Sequence, residues 1–283
     1  MTAIPSGGRG TFRVAGRVLL YVVLIVAAVA ILVPFLWMIS ASLKRNNEVL
    51  TVPVQWIPKD FQWKNFSDIW TQIPLGAYLR NTVFLSAVIT FLQVLTGSFA
   101  AYGFAKMRFP GRDALFFAYI ATIAVPWQAY MIPQYIMMQK AGLTNTFWSL
   151  ILLQAFGAFG VFLMRQYYLT IPEELSEAAR VDGLSEYGIW ARIILPLSKP
   201  ALASLGLLTF VNTWNDYMGP FIYLTSNDLW TIQLGLRSFV GQFDADYAMM
   251  MTGSVLSVLP ILLIFLVGQR YFIQGIATSG MKG

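Results

Sequence analysis

Cysteine and histidine are both absent from this chain of 283 residues. Their absence excludes disulfides, thiolate and imidazole metal ligands, cysteine nucleophiles and serine–histidine catalysis. No glycine is followed directly by lysine, so the phosphate-binding pattern GxxxxGK[ST] is missing as well. The chain therefore carries none of the common catalytic centres built on these residues, and it has no nucleotide site of this type.

Charged residues are also scarce. They make up 11% of the chain, whereas soluble domains carry about 25%. Apolar side chains make up 57%, and the mean hydropathy is +0.63. The net charge of +6 comes from basic residues in short runs beside apolar segments, a pattern typical of membrane orientation and not of nucleic-acid binding. The composition predicts one helical membrane domain.

Six apolar segments are long enough to cross a bilayer, which takes about 20 residues. They cover residues 18–39, 81–105, 114–138, 147–168, 201–224 and 249–272. The first segment could instead be a cleaved signal peptide. Its apolar stretch exceeds the roughly 7–15 residues of a signal core, which favours an uncleaved anchor.

The distribution of lysine and arginine predicts the orientation of the chain. The short loop Lys106–Arg112 is strongly basic, which places it and both termini in the cytoplasm. The predicted division is a cytoplasmic tail at 1–17, a transmembrane domain at 18–272 and a cytoplasmic tail at 273–283. The long external segment at 43–80 carries three tryptophans and is expected to lie on the membrane surface.

The apolar segments also carry packing signals. Gly97, Ala101 and Ala105 recur every four residues, and such a stripe of small residues allows a second helix to approach closely. Prolines interrupt three of the segments and release backbone carbonyls, which lipid does not tolerate unless protein or water satisfies them. A bundle around a cavity is therefore expected, with breaks or kinks at Pro126, Pro133, Pro220 and Pro260.

Residues 170–200 are too charged to enter hydrocarbon, yet they carry strong helix signals. Thr170 and Glu173 fit a capping box, and Pro172 suits a first turn. Glu173, Glu174 and Glu177 stand at the positive end of the helix dipole. Gly183 is expected to end this first helix in a left-handed turn.

A second short helix is predicted from Leu184, with Pro196 ending it. Its expected apolar face consists of Leu184, Tyr187, Ala191 and Ile194. An anchor that touches only lipid is one interpretation of the two helices. Such anchors are rich in lysine and arginine, whereas the first helix is acidic, so a protein partner explains it better.

A resemblance to a known family sharpens this interpretation. Glu177-Ala178-Ala179, then Gly183, then Ile193, Leu195 and Pro196 resemble the EAA loop of binding-protein-dependent ABC importer permeases. Three further motifs resemble the carbohydrate permeases of the MalG type, and the resemblance covers essentially the whole chain. They are Phe162-Leu-Met-Arg-Gln-Tyr167, Trp214-Asn-Asp216, and Gln269-Arg-Tyr-Phe-Ile-Gln-Gly275 with the final Gly280-Met-Lys-Gly283.

The resemblance implies an all-α membrane protein with six transmembrane helices and a cytoplasmic helix-turn-helix between the fourth and fifth. It implies a second homologous permease, two ABC ATPases, an extracytoplasmic solute-binding protein and a sugar as partners, besides membrane lipid. ATP and Mg would sit on the ATPases, and this chain would bind no cofactor. The residues implied in ATPase coupling are Glu177, Ala178, Ala179, Asp182, Gly183, Leu184 and Tyr187. The C-terminal residues Gly280, Met281, Lys282 and Gly283 would reach the ATPase interface.

Polar residues inside predicted spans are candidates for the solute path, because they usually face a cavity or the bundle interior. The alternative role is interhelical hydrogen bonding that holds the complex together. The main group lies in the fifth segment, and weaker candidates lie in the third and fourth. The candidates are Asn212, Trp214, Asn215 and Asp216, then Trp127, Gln128, Tyr130 and Gln154.

The predicted function is that of a permease subunit of an ABC sugar importer in a prokaryotic cell membrane, without an ATPase site of its own. A permease for a polyol, glycerol-phosphate or peptide is the alternative within the same family. From a different class, an ion-coupled carrier would use intramembrane acids, and Asp216 is the one acid well inside a predicted span.

Overall fold

The computed structural model describes residues 8–241 and 244–279, with side chains described for 16–241 and 244–269. Within these ranges the regular elements are helices. They are α1 (Gly8–Ser42), α2 (Asn46–Val49), α3 (Asn65–Gln72), α4 (Leu75–Lys106), α5 (Arg112–Ala121), α6 (Met131–Lys140), α7 (Phe147–Gln154), α8 (Ala158–Tyr168), α9 (Glu173–Val181), α10 (Glu186–Ile189), α11 (Leu195–Leu197), α12 (Lys199–Trp214), α13 (Met218–Tyr223), α14 (Ile232–Leu236) and α15 (Tyr247–Ser279).

The chain forms two compact units, of which the first contains residues 1–69 and 239–256. Its core is small, with Ala41, Val49 and Ala248 buried together. The Thr252 hydroxyl donates to the Ser42 carbonyl at 3.1 Å, which ties the start of α15 to the end of α1. Most apolar side chains of α1 before this point are exposed, as expected of a helix that lipid or another chain covers.

The second unit contains residues 70–238 and 257–283 and is organised around α4, which packs against α8 and α12. A Cβ at Gly97 would lie 3.4 Å from the backbone carbon of Gly160, so α4 and α8 meet backbone to backbone. Ala101 and Ala105 continue this buried stripe. The predicted close approach along Gly97, Ala101 and Ala105 is confirmed, because small residues let two helices come near enough for extensive van der Waals contact.

Four helical segments are long and apolar enough to cross a membrane: Gly16–Ser42, Leu75–Lys106, Phe147–Tyr168 and Tyr247–Gln269. They correspond to the first, second, fourth and sixth predicted segments. A fifth candidate is the pair Glu186–Leu197 and Lys199–Trp214, bent by 81°. The prediction of an all-helical membrane protein is confirmed.

The third predicted segment, 114–138, is not one helix. Helix α5 ends at Ala121, two short 3-10 turns follow, and α6 begins at Met131. The cause is Pro126, which lacks an N–H and pushes the residue before it out of the helical region. Val125 accordingly adopts an extended conformation, with φ −84° and ψ 113°.

The fifth predicted segment, 201–224, is also discontinuous. Helix α12 ends at Trp214 and α13 begins at Met218. Asp216 occupies the break, and its Oδ1 accepts a hydrogen bond from the Gly219 N–H at 3.0 Å. A short polar side chain can thus take the place of a helical carbonyl as the acceptor of a backbone hydrogen bond. Hydropathy alone did not reveal the interruption, because it reports how apolar a segment is and not how its backbone is hydrogen-bonded.

Candidate functional site

The stretch between α8 and α12, residues 170–198, is called the interhelical segment here. Its first helix, α9, begins at Glu173 with Pro172 in the capping position and no capping side chain. The predicted capping box is therefore wrong, because the Thr170 hydroxyl donates to the Tyr167 carbonyl of the preceding turn instead.

Gly183 ends α9 as predicted. Its φ is +81°, and its N–H donates to the Arg180 carbonyl at 3.0 Å. The Leu184 N–H donates to the Ala179 carbonyl at 3.0 Å. These two bonds form a Schellman motif, which satisfies carbonyls at the end of a helix by means of one left-handed residue. The bend after α9 thus depends on glycine.

The second half of the interhelical segment packs against the rest of its unit. Ile189, Trp190 and Ile194 are buried in a core that also contains Leu184 and Ala191 as partly buried members. Tyr187 is 65% exposed, yet its ring lies 5.4 Å from that of Trp190 and 6.5 Å from that of Phe99. Leu184, Ala191 and Ile194 thus pack inward as one face, and Tyr187 lies at its exposed edge.

Pro196 lies at the end of the second helix, as predicted. The helical run Glu186–Leu197 contains a π-helical turn over residues 190–194, and Pro196 is its next-to-last residue. The chain leaves the helix at Ser198, whose hydroxyl donates to the Ile194 carbonyl at 2.7 Å. Proline lacks an N–H and does not continue a helix, and the chain bends by 81° between this helix and α12.

Charged side chains fasten the interhelical segment to the end of α4. Lys106, whose side chain is 4% exposed, donates to the Ile171 carbonyl at 2.7 Å and to Glu173 at 3.1 Å. Arg180 bridges Glu186 at 2.7 Å and Glu173 at 3.4 Å. The hydrogen bond to Glu186 is the main cause that raises the pKa of Arg180 above its ordinary value. The Tyr102 hydroxyl donates to Glu186. A charge network with a buried member holds the two helices and α4 in one arrangement.

Two acidic side chains next to this network have no such partners among the described residues. Glu177 and Asp182 are exposed, and neither has a hydrogen bond or ion pair from its side chain to another described residue. Val181 is 88% exposed beside them. Among the other residues implied in coupling, Ala178 and Gly183 are exposed, whereas Ala179 and Leu184 pack inward. Tyr187 is exposed as well, but its ring contacts Phe99 and Trp190. The outward surface combines acidic and apolar groups and is suited to a protein with basic groups.

A second candidate site is a cavity of about 390 Å³ among the broken helices. The structure brings Trp127, Tyr130, Gln154 and Asp216 together at its wall. The Gln154 amide donates to Asp216 Oδ2 at 2.9 Å, which joins α7 to the break in the fifth segment. Position 219 requires glycine, because a Cβ there would lie 2.5 Å from Asp216 Oδ2, the oxygen that accepts from Gln154.

The other residues predicted for the solute path lie elsewhere. Trp214 is fully buried and donates its Nε1–H to the Ser257 carbonyl at 3.1 Å. Asn215 is exposed and donates to the Val211 carbonyl at 2.9 Å. Asn212 and Gln128 are exposed, and neither contributes to the wall of the cavity.

The prediction from sequence missed three residues with hydrogen-bonding side chains that line this cavity, Gln93, Gln134 and Tyr223. Gln134 Oε1 accepts from Trp127 Nε1 at 2.9 Å and from the Tyr223 hydroxyl at 3.4 Å. Both glutamines lie inside predicted apolar segments. Gln154 was selected because polar residues inside a span usually face a cavity or the bundle interior, and the same reasoning applies to Gln93 and Gln134. The C-terminal group Gly280, Met281, Lys282 and Gly283 lies outside the described residues.

Comparisons with known proteins agree with this architecture. The chain is 36% identical over 253 residues to the arabinooligosaccharides transport system permease protein AraQ of Halalkalibacterium halodurans, covering 88% of this chain and 91% of the relative. It is 32% identical to the sn-glycerol-3-phosphate transport system permease protein UgpE of Pectobacterium atrosepticum, covering 92% and 95%.

A solved structure described as a bacterial ABC transporter involved in the import of the acidic polysaccharide alginate superposes with a TM-score of 0.79. It shares 25% identity, with coverage of 96% of this chain and 100% of that one. The model of the family described as binding-protein-dependent transport system inner membrane component matches residues 93–278. The resemblance found in the sequence is confirmed, and the chain belongs to this family of permease subunits of ABC importers.

Proposed function

We propose that the chain is a permease subunit of an ATP-driven sugar importer, forming half of a translocation path and coupling it to separate ATPase subunits. The observation that carries the proposal is the interhelical segment. It is fastened to α4 through Lys106, Glu173 and Arg180. Next to this network, Glu177 and Asp182 are exposed and unpaired among the described residues. Such a segment transmits a displacement of a bound partner to the membrane helices.

The proposed topology has six membrane crossings with both termini in the cytoplasm. Four long helices supply four crossings. The discontinuous stretches 112–140 and 199–223 would supply the third and fifth. The basic loop after α4 supports this orientation, because lysine and arginine accumulate on the cytoplasmic side. The proposed divisions are a cytoplasmic tail at 1–17, a membrane domain at 18–272 and a cytoplasmic tail at 273–283. The proposed location is a prokaryotic inner or plasma membrane.

The proposed assembly contains a second homologous permease, two ABC ATPases and an extracytoplasmic solute-binding protein. ATP and Mg act on the ATPases, and this chain binds no cofactor. A sugar is the favoured solute because a relative at 36% identity is named for arabino-oligosaccharides. Glycerol 3-phosphate is the alternative solute of this chain, because another relative is named for its transport. Family membership argues against the ion-coupled carrier.

The test of coupling reverses the charge of Glu177 in the complete importer. We expect Glu177→Lys to reduce both co-purification of the ATPase and ATP-dependent uptake. Breaking a charge pair that the interface buries costs roughly 2–5 kcal/mol. A compensating basic-to-acidic change on the ATPase is expected to restore both. Asp228→Lys, an equivalent change in an exposed loop of the other predicted side, is the matched control. Normal uptake and normal ATPase binding by Glu177→Lys would refute the coupling role.

A further inference from the structure

Three interruptions of membrane segments converge on the cavity of about 390 Å³ described above. The break after Ala121 supplies Trp127 and Tyr130, the break after α7 follows Gln154, and the break after α12 supplies Asp216. Non-helical backbone at membrane depth is tolerated only where protein covers it or where it lines a water-filled cavity. Discontinuous helices in transporters mark the place where solute is bound.

Protein groups cover one of these breaks. After α7, the freed carbonyl of Gln154 accepts from Gln93 Nε2 at 2.7 Å, and that of Ala155 accepts from the Thr96 hydroxyl at 2.8 Å. Both donors come from α4 and hold the backbone around the cavity in place. The side chain of Gln154 is therefore not needed to cap this backbone and lines the cavity instead. Asp216 caps the Gly219 N–H with Oδ1, and its Oδ2 accepts from Gln154 at the cavity wall.

The wall of the cavity carries a single charged side chain among the residues that the structure describes. Its polar side chains include three amides and one carboxylate, and no described lysine or arginine contributes to it. The polar and aromatic groups are Gln93, Gln134, Gln154, Asp216, Trp127, Tyr130, Phe156 and Tyr223. Amides, a carboxylate and aromatic faces match a hydroxyl-rich solute, whereas a phosphate or uronate calls for a cationic partner.

Some of these groups retain hydrogen-bonding capacity. The Asp216 carboxylate accepts one bond on each oxygen, from Gln154 and from the Gly219 N–H, and a carboxylate has about four acceptor positions. Gln134 uses its Oε1, while its Nε2 has no partner among the described residues. The cavity therefore offers both an acceptor and a donor, the combination that a sugar hydroxyl satisfies.

We propose that this cavity is a solute subsite of the permease that accepts neutral, hydroxyl-rich solutes and disfavours anionic ones. The proposal rests on the proposed function and deepens it. In the proposed topology Gln154 stands seven residues inside the outer end of α7 at Phe147, or about 10 Å at 1.5 Å per residue. The subsite thus lies in the outer part of the path, where a solute arrives first, and Asp216 sets the charge preference.

The first experiment needs no known substrate, because the chain lacks cysteine and a single one can be introduced. Tyr130→Cys places a thiol in the cavity wall, and Lys59→Cys places one in an exposed loop. Both variants are labelled in the complete importer with methanethiosulfonate reagents of equal size, one cationic and one anionic. We expect the cation-over-anion rate ratio to be roughly tenfold higher for Tyr130→Cys than for Lys59→Cys, because one carboxylate attracts one reagent and repels the other.

Two isosteric second changes test the assignment in opposite directions. In the Tyr130→Cys background, Asp216→Asn is expected to abolish the preference for the cationic reagent. Gln134→Glu retains the acceptor for Trp127 and adds a charge, so it is expected to increase the preference. A misfolded cavity would not move the ratio in both directions. Equal ratios in the two cysteine variants, or a ratio unaffected by Asp216→Asn, would overturn the proposal.

The second experiment measures ATP-dependent uptake of arabinotriose and lactose against digalacturonate and glycerol 3-phosphate. The subsite is supported if the importer takes up a neutral sugar and the KM for that uptake rises roughly tenfold in Asp216→Asn. Co-purification of the ATPase with this variant is expected to be unchanged. Asp228→Asn removes an acid from an exposed loop and is the matched control. Transport of the anionic solutes in preference to the neutral ones would overturn the subsite while leaving the permease function intact. Failure of ATP-dependent uptake of every solute counts against the proposed function, and the labelling ratio still decides the subsite.

Discussion

Replacing Gly183 tests whether the bend in the interhelical segment controls coupling. This residue has φ +81°, and beyond its own chain neighbours no described heavy atom lies within 4 Å of the position that a Cβ would occupy. A side chain therefore meets no steric clash with its surroundings, and the penalty is backbone strain alone. The consequences of a substitution follow from how well each residue adopts a left-handed conformation.

The expected effects form a series. Asn tolerates the left-handed region and is expected to cost least, whereas Ala costs roughly 1–2 kcal/mol. That strain lowers the population of the native bend by a factor of about 5–30. Pro fixes φ near −65° and removes the N–H that donates to the Arg180 carbonyl, so the native bend cannot form.

The assay is co-purification of the ATPase with the permease, together with ATPase stimulation by the loaded binding protein. Both are expected to fall in the order Gly183→Asn, Gly183→Ala, Gly183→Pro. Gly142 provides the matched control, because it has φ +69°, an open Cβ position and an N–H that donates to the Gln139 carbonyl. Gly142→Pro carries the same penalty in a different turn and should leave ATPase binding unchanged. Normal coupling by Gly183→Pro would refute the reasoning.

The remaining predictions concern topology, packing and the C-terminus. A cysteine in place of Lys59 should react with an impermeant thiol reagent applied from outside, and a cysteine in place of Arg108 should not. Reversed labelling would contradict the predicted orientation of the chain in the membrane. Gly97→Val should lower thermal stability, because overpacking against α8 costs about 1–3 kcal/mol. Gly103→Val is the control and should not lower it, since no described atom lies within 4 Å of the Cβ position of Gly103. Deleting residues 280–283 should reduce ATPase stimulation without loss of expression, and unchanged stimulation would identify a frayed end.

The sequence alone was sufficient for the features that depend on local chemistry. Long apolar runs predicted the membrane helices, since crossing hydrocarbon requires length and hydropathy and little else. The small-residue stripe at Gly97, Ala101 and Ala105 predicted a close helix contact, which α8 provides. Gly183 predicted the bend, because few residues other than glycine adopt φ > 0 at low cost.

Local patterns failed where two signals competed within one turn. Thr170 fitted a capping box, but its hydroxyl bonds back to Tyr167, and Pro172 takes the capping position. A threonine permits both outcomes, and the packing of neighbouring turns selects one. Pro196, where no second signal competed, did mark the helix end, which comes one residue later at Leu197.

The tertiary structure decided which polar groups meet. Gln93, Gln134, Gln154 and Asp216 come from four different helical segments, and hydropathy ranks each of them only as an isolated polar residue in an apolar run. Trp214 shares a motif with Asp216 but is buried against Ser257, outside the cavity. Spacing along the chain determines the face of a helix, whereas a shared cavity depends on how separate segments break and cross, and that is set by long-range packing.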